Sequence, residues 1–286
     1  MAEITLENVT YVYGKGAPYE MRALDDISLT FRSGEVTGLI GHTGSGKSTL
    51  VQLLNGLLKP DSGKVLLDGK DIWEDPKKIQ GVRFRVGLVM QYPEYQLFDE
   101  TVESDIGFGP KNMGMAPEKI QEAVARAAEF AGLSPELLKK SPFDLSGGQK
   151  RRAALAGVMA MEPEVLVLDE PAAGLDPGGR REILGRIREY QQKSGASVII
   201  VSHSMEDMAL YCDRVLVMEN GKLVMSGTPA GVFSRAEELI AVGLDVPQIT
   251  RVARALRDVG VDIGLDIYTV KFAAHRLLSG REFNEG

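Results

Sequence analysis

Apolar and polar side chains alternate from Ile4 to Tyr13 and again from Ile27 to Phe31, the two-residue period of strands buried on one face. Lys64 to Leu67 carries the same signal into an Asp68-Gly69 turn and a second short strand around Ile72, so these segments predict a small antiparallel sheet. Glu35 to Ile40 differs. It is a compact apolar run that enters a glycine-rich loop and then a helix from about Lys47 to Leu57. Arg85 to Met90, Val165 to Leu168, Ser197 to Val201 and Arg214 to Met218 are further short apolar runs, and the last three lack alternation, as parallel strands buried on both faces do. Helical segments around Gly179 to Gln192 and Ser204 to Cys212 separate them. That order predicts an α/β fold with a mostly parallel sheet.

Between Thr101 and Met161 the strand signal stops. Pro117-Glu118 opens a helix through Ala131, Ser134-Pro135 opens another and Ser146 precedes a third, which predicts a helical insert at about 95–160. Asn220-Gly221, between Val215-Met218 and Leu223-Met225, is a hairpin signal. After Thr228-Pro229 the pattern turns helical, and Ile249, Val252, Ala253 and Leu256 fall on one stripe of a helix over Gln248 to Asp258 that needs a cover. The expected organisation is one α/β domain over 1–229 and a C-terminal helical extension over 230–286, the latter adding contacts between subunits.

Composition narrows the class. Of 286 residues 44% are hydrophobic and 26% charged, ordinary for a globular chain. Thirty-three Lys plus Arg against forty Asp plus Glu give a net charge of −7, which argues against nucleic-acid binding and against a polybasic hold on an anionic membrane. One cysteine excludes an intrachain disulfide, and with three histidines leaves little for a zinc site. Apolar runs such as Val165-Leu168 and Val198-Val201 fall far short of the roughly 20 residues a spanning helix needs. With no secretory h-region at the start, a soluble cytoplasmic protein is expected.

Gly41-His42-Thr43-Gly44-Ser45-Gly46-Lys47-Ser48-Thr49 has the phosphate-loop pattern and falls between an expected strand and an expected helix. Its glycines allow backbone N–H groups to turn around a β-phosphate, and the helix start adds a positive dipole end. Lys47 supplies charge to the β- and γ-phosphates and Ser48 a hydroxyl to Mg²⁺. Val165 to Asp169-Glu170 is an apolar strand ending in two carboxylates, with Asp169 placed to hold the metal through water and Glu170 to orient or deprotonate an attacking water. Leu145-Ser146-Gly147-Gly148-Gln149 offers a second anion site at a helix start. One nucleotide does not need two such sites in one chain at this separation.

These motifs resemble the ATP-binding-cassette ATPases. The resemblance implies a P-loop NTPase core with an antiparallel β subdomain, a helical signature subdomain, and ATP with Mg²⁺ as ligands. It implies that Ser146, Gly147, Gly148 and Gln149 bind the γ-phosphate held by an opposite subunit in a head-to-tail dimer. Tyr13 resembles the aromatic that stacks on adenine, with Tyr11 a nearby rival. Gln91 resembles the glutamine that senses Mg²⁺ and couples to the membrane subunit, Asp176 in Ala173-Gly174-Leu175-Asp176 the segment that crosses between subunits, and His203 the switch histidine at the γ-phosphate. Ala172-Ala173-Gly174 departs from the commoner Ser-Ala segment. The resemblance spans roughly 3–229.

Gln91-Tyr92-Pro93-Glu94-Tyr95-Gln96-Leu97-Phe98, Asp105 to Asn112, and Gly243-Leu244-Asp245-Val246-Pro247 in the tail are similar to the ATPase subunits of energy-coupling-factor transporters, of the second paralogue type. That implies a peripheral subunit at the cytoplasmic membrane face, paired with a paralogue or with itself. A membrane coupling subunit would dock at Tyr92–Phe98 through a short amphipathic helix, and separate substrate-binding membrane proteins would carry a vitamin or metal ion. A second reading is a regulatory cassette ATPase that signals to an envelope enzyme without moving solute. Met113, Met115, Met159, Met161, Met205 and Met208 are expected as filler, Trp73 near the small sheet, and Lys150-Arg151-Arg152 on a solvated or nucleotide-facing helix surface.

Overall fold

The computed structural model describes residues 2–261, 263–264 and 266–279; the end of the expected extension, through 286, lies outside the described residues. Two sheets organise it. The first joins β1 (Ile4–Tyr13), β2 (Met21–Phe31), β4 (Ser62–Leu67) and β5 (Lys70–Asp71), all antiparallel, in the order β2-β1-β4-β5. The second is built from β3 (Val36–Ile40), β6 (Val86–Val89), β7 (Val165–Asp169), β8 (Ser197–Val201), β9 (Arg214–Glu219) and β10 (Lys222–Gly227), in the order β10-β9-β3-β8-β7-β6. All its pairs are parallel except the β9–β10 hairpin, which turns through Asn220-Gly221.

Strands β3, β7 and β8 are buried at every residue, and successive side chains enter opposite layers. Leu166, Leu168, Val198 and Ile200 join one apolar cluster together with the helical insert, whereas Val165, Val167, Ile199 and Val201 join another under the antiparallel sheet and α1 (Lys47–Leu54). Truncating one fully buried leucine such as Leu168 to alanine costs about 2–5 kcal/mol in such a core. The insert comprises α3 (Val102–Asn112), α4 (Pro117–Ala131), α5 (Pro135–Leu138) and α6 (Gly147–Met159), following a helix α2 (Ile79–Arg85) that the sequence pattern does not announce. Beyond β7 come α7 (Pro177–Ser194) and α8 (Met205–Tyr211), and the C-terminal segment holds α9 (Pro229–Phe233), α10 (Ala236–Ala241), α11 (Gln248–Asp258) and α12 (Val270–Ser279).

Three local expectations shift. Ile72 is not in a strand: Asp71 Oδ1 accepts the backbone N–H of Trp73 at 3.0 Å and turns the chain after two paired residues. Helix α1 stops at Leu54 instead of Leu57, because Asn55 donates its side-chain amide to the Val86 carbonyl and Gly56 takes φ +69°. Arg85 closes α2 and does not open β6; its guanidinium bridges Asp68 and Glu164. In the tail, Phe233, Leu239, Leu244 and Val246 still belong to the main apolar cluster. The α11 stripe finds its cover inside the tail, where Ile249, Ala253 and Leu256 pack with Ile263, Ile267, Phe272 and Ala273, while Val252 stays 51% exposed. No helix among the described residues is long and apolar enough to cross a membrane.

Candidate nucleotide site

Parallel pairing puts the C-terminal ends of β3, β8, β7 and β6 on one edge, with Leu39 level with Val201, Asp169 with Val201, and Val89 with Leu168. Ligands of open α/β sheets bind at that edge. Four sequence motifs therefore meet: the glycine loop after β3, Gln91 after β6, Asp169-Glu170 at the end of β7 and His203 after β8. They line a cleft of about 270 Å³ that includes Thr43, Gly44, Gly46, Lys47, Ser48 and Thr49. A larger groove of about 460 Å³, between α4 and the end of α7, has no glycine loop, and its Glu162 and Glu164 are already paired with Arg126 and Arg85, so chemistry and not volume selects the smaller cleft.

The loop needs its glycines. A Cβ on Gly41 would lie 2.4 Å from the Met218 carbonyl oxygen, and one on Gly46 would lie 2.5 Å from the Ala23 carbonyl oxygen at a backbone φ of +101°. Gly46 also leaves α1 without a side-chain cap, so its first N–H groups remain available to an anion. Lys47 is buried and donates to the carbonyls of Gly41 at 2.7 Å and His42 at 2.9 Å. Burial lowers its pKa, against the pull of the Glu170 and Asp169 charges. The Ser45 hydroxyl is buried without a hydrogen-bond partner, and the His42 ring meets the Thr43 carbonyl at 2.8 Å.

Across the cleft Ser48 Oγ donates to Asp169 Oδ2 at 3.1 Å. Burial raises the Asp169 pKa, opposed by Ser48 and Lys47. Glu170 follows with φ +53°, a left-handed conformation uncommon for a side-chain-bearing residue and concentrated at functional sites. Its N–H donates to the Val201 carbonyl at 3.0 Å, while Oε1 is buried without a hydrogen bond, 3.4 Å from His203 Nε2. Burial first, and then the Asp169 charge, push the Glu170 pKa up to about 7. Burial and Lys47 lower that of His203. A serine hydroxyl paired with a carboxylate, with a glutamine nearby, is the hard-oxygen donor set that suits Mg²⁺, which takes one or two protein oxygens alongside phosphate and water. No cluster of three His, Cys, Asp or Glu among the described residues offers a different kind of metal site.

The structure separates the two tyrosines. Tyr11 packs on the sheet-side apolar cluster, whereas the Tyr13 hydroxyl lies 3.3 Å from Thr49 Oγ1, with the two rings edge-on at 4.9 Å. Tyr13 does not itself line the cleft; Met21 and Ala23 on β2 do, and sequence reading missed them because strand alternation marks only which residues face the core. Ser146, Gly147, Gly148, Gln149 and Asp176 are not brought to the cleft either. Ser146 and Gln149 cap α6 reciprocally, and Asp176 caps α7 by accepting from the N–H groups of Gly178 and Gly179. Arg151 departs from the expected solvated or nucleotide-facing surface. It is 5% exposed, pairs with Glu94 at 2.9 Å and donates to the Ala173 carbonyl. A run of three basic residues hides this, since one of them turns inward.

Residues 24–173 match the ABC transporter family. Over 275 residues the chain is 52% identical to the energy-coupling factor transporter ATP-binding protein EcfA2 of Caldanaerobacter subterraneus subsp. tengcongensis, covering 96% of both chains. The structure of cbiO1 from Clostridium perfringens, described as part of the ABC transporter complex cbiONQ, superposes with a TM-score of 0.75 at 40% identity, covering 89% of this chain and 98% of that one. A bacterial ABC transporter cassette solved as a dimer superposes at 0.72 with 25% identity, covering 79% of this chain and 98% of that one.

Proposed function

The chain belongs to the ABC transporter family, on its energy-coupling-factor branch, and from that premise we propose that it hydrolyses ATP to power uptake of a vitamin or transition-metal ion through a membrane coupling subunit. The observation that carries this reading is the convergence of Lys47, Ser48, Asp169, Glu170, Gln91 and His203 on one cleft at the strand ends. Lys47 leaves its own loop carbonyls for the β- and γ-phosphates, and Tyr13 stacks on the base. Ser48, Asp169 and Gln91 hold Mg²⁺, which when bound neutralises the phosphate oxygens. Glu170 accepts a proton from water as the water oxygen bonds to the γ-phosphorus and the bond to the ADP oxygen breaks. His203, whose pKa partial desolvation and Lys47 lower, hydrogen-bonds the γ-phosphate.

Two chains complete each site. The signature Ser146–Gln149 of one subunit faces the γ-phosphate on the other, and Asp176 lies in the segment that crosses between them. The partner is a paralogue or a second copy, and the tail, with Ile240, Val252 and Val270 exposed, adds contact area. The coupling subunit docks at Tyr92–Phe98. Within that run Pro93 and Leu97 are buried, while Tyr92, Tyr95 and Phe98 are 48%, 84% and 59% exposed and Phe108 stacks edge-on against Phe98 at 5.0 Å. An aromatic patch of this kind fits a short amphipathic helix and holds the subunit peripherally at the cytoplasmic membrane face. The test is co-purification from cells followed by uptake in vesicles. The expected result is a polytopic subunit together with a small substrate-binding membrane protein, and ATP-dependent solute entry. Tyr95→Asp with Phe98→Asp should abolish assembly in a folded chain. A partner carrying an extracellular enzyme-binding domain, with no solute movement, would refute the transport reading.

A further inference from the structure

Arg151 does not touch the nucleotide cleft, yet it is among the most buried charges in the described residues, on the α6 helix that begins with the signature. Its guanidinium grips two loops at once. Nη2 and Nε meet the Glu94 carboxylate at 2.9 and 3.2 Å, and Nη1 donates to the Ala173 carbonyl. Glu94 lies three residues after Gln91, in the short 3-10 turn Pro93–Gln96 that carries Tyr95. Ala173 lies three residues after Glu170, and its N–H donates to the Glu170 carbonyl at 3.2 Å. The side chains of Arg151 and Glu94 are only 6% and 18% exposed. A planar fork that satisfies a carboxylate with one edge and a carbonyl with another fixes the angle between them, which a single ammonium does not.

We propose that Arg151 is a positioning residue that ties the signature helix to both the glutamine segment and the crossing loop, so that displacement of the docking aromatics reaches the γ-phosphate contact made in the partner subunit. The inference rests on the ATPase reading above and adds a route within this chain. Loss of the tie leaves ATP held by Lys47 but lets the signature approach it at the wrong angle. It therefore lowers kcat while leaving KM for ATP alone.

The test uses the assembled complex, with steady-state hydrolysis and thermal melting measured together. Arg151→Ala should lower kcat by up to about 10²-fold, the size of a small misplacement remote from the chemistry. KM for ATP should stay within about twofold, the pattern of an interaction made only in the transition state. Arg151→Lys, which keeps the charge for Glu94 but not the fork, should melt near wild type and recover only part of kcat; it carries the test if the alanine variant does not fold. Glu94→Gln combined with Arg151→Ala should lose less than the product of the two single losses, because both cut one tie. Wild-type kcat in folded Arg151→Ala, or a lowered melting temperature with turnover intact, would reduce Arg151 to a structural bond and overturn the inference. A wild-type complex that hydrolyses no ATP would overturn the ATPase reading and this inference with it.

Discussion

Two glycine-rich loops of this chain run into helices, and they are built in opposite ways. The loop 41–46 closes on itself: its glycines are forced by neighbouring carbonyls and by positive φ, its helix lacks a side-chain cap, and its lysine is buried against loop carbonyls. The loop at 145–148 is open. Ser146 and Gln149 already satisfy the helix start, and Cβ atoms on Gly147 or Gly148 would meet nothing within 4 Å. Neither backbone strain nor packing inside the chain requires those two glycines. Open room at those two positions is what the proposed half-site for another subunit should show.

The largest expected effect falls on the closed side. Glu170→Gln should lower kcat by about 10²- to 10⁴-fold while ATP binding persists, since the amide keeps its size but accepts no proton. Lys47→Ala should weaken ATP binding itself, read by titration calorimetry; unchanged affinity would remove Lys47 from the phosphate cradle.

The next effect separates the loops directly. Gly148→Val should leave the melting temperature unchanged yet cost about 10²-fold in turnover, the scale of losing one preorganised anion donor. Gly46→Val should instead destabilise the fold by at least about 1–3 kcal/mol, the cost of backbone strain alone, because its Cβ meets a carbonyl at a left-handed φ. If Gly148→Val melts as low as Gly46→Val, the contrast between an inward and an outward loop is wrong.

A smaller effect follows from the charge state of the closed cleft. With Glu170 at about 7, the fraction able to take a proton falls roughly tenfold per pH unit below that value, so kcat/KM for ATP should decline on the acid side of pH 7. A flat profile from pH 5.5 to 8 would show that the base is not Glu170 in its free-enzyme state.

The parts legible in sequence were those with local causes. Apolar runs without alternation in β7, β8 and β9 reported two-sided burial, and Ser146 reported the start of a helix. Strand-end carboxylates could be placed on one edge because parallel pairing leaves little choice. What stayed hidden depended on distant partners. Helix α1 ends early because Asn55 reaches Val86, thirty-one residues on. Arg151 turns inward because Glu94 and Ala173 wait for it, and Tyr13 parts from Tyr11 only once α1 brings up Thr49. A one-dimensional pattern carries periodicity, and these contacts have none.

The smallest expected effect concerns stability, and its sign distinguishes strain at the closed cleft from simple packing. Glu170 is protonated in both the folded and the unfolded chain below its ordinary pKa of 4.5, so its burial then carries no charge penalty. Between 4.5 and about 7 the folded state holds a proton that the unfolded state has released. Folding stability therefore falls as pH rises through that window and levels off above it. Glutamine cannot ionise, so Glu170→Gln should match wild type near pH 4.5 and melt higher at pH 8. The gain is trimmed because Lys47 loses the carboxylate that raises its pKa. On the order of 1 kcal/mol remains, or roughly 2 °C for a chain of 286 residues. A constant offset across the whole range would assign the effect to packing; a gain that grows between pH 4.5 and 7 and then stops marks Glu170 as a carboxylate held charged at the expense of the fold.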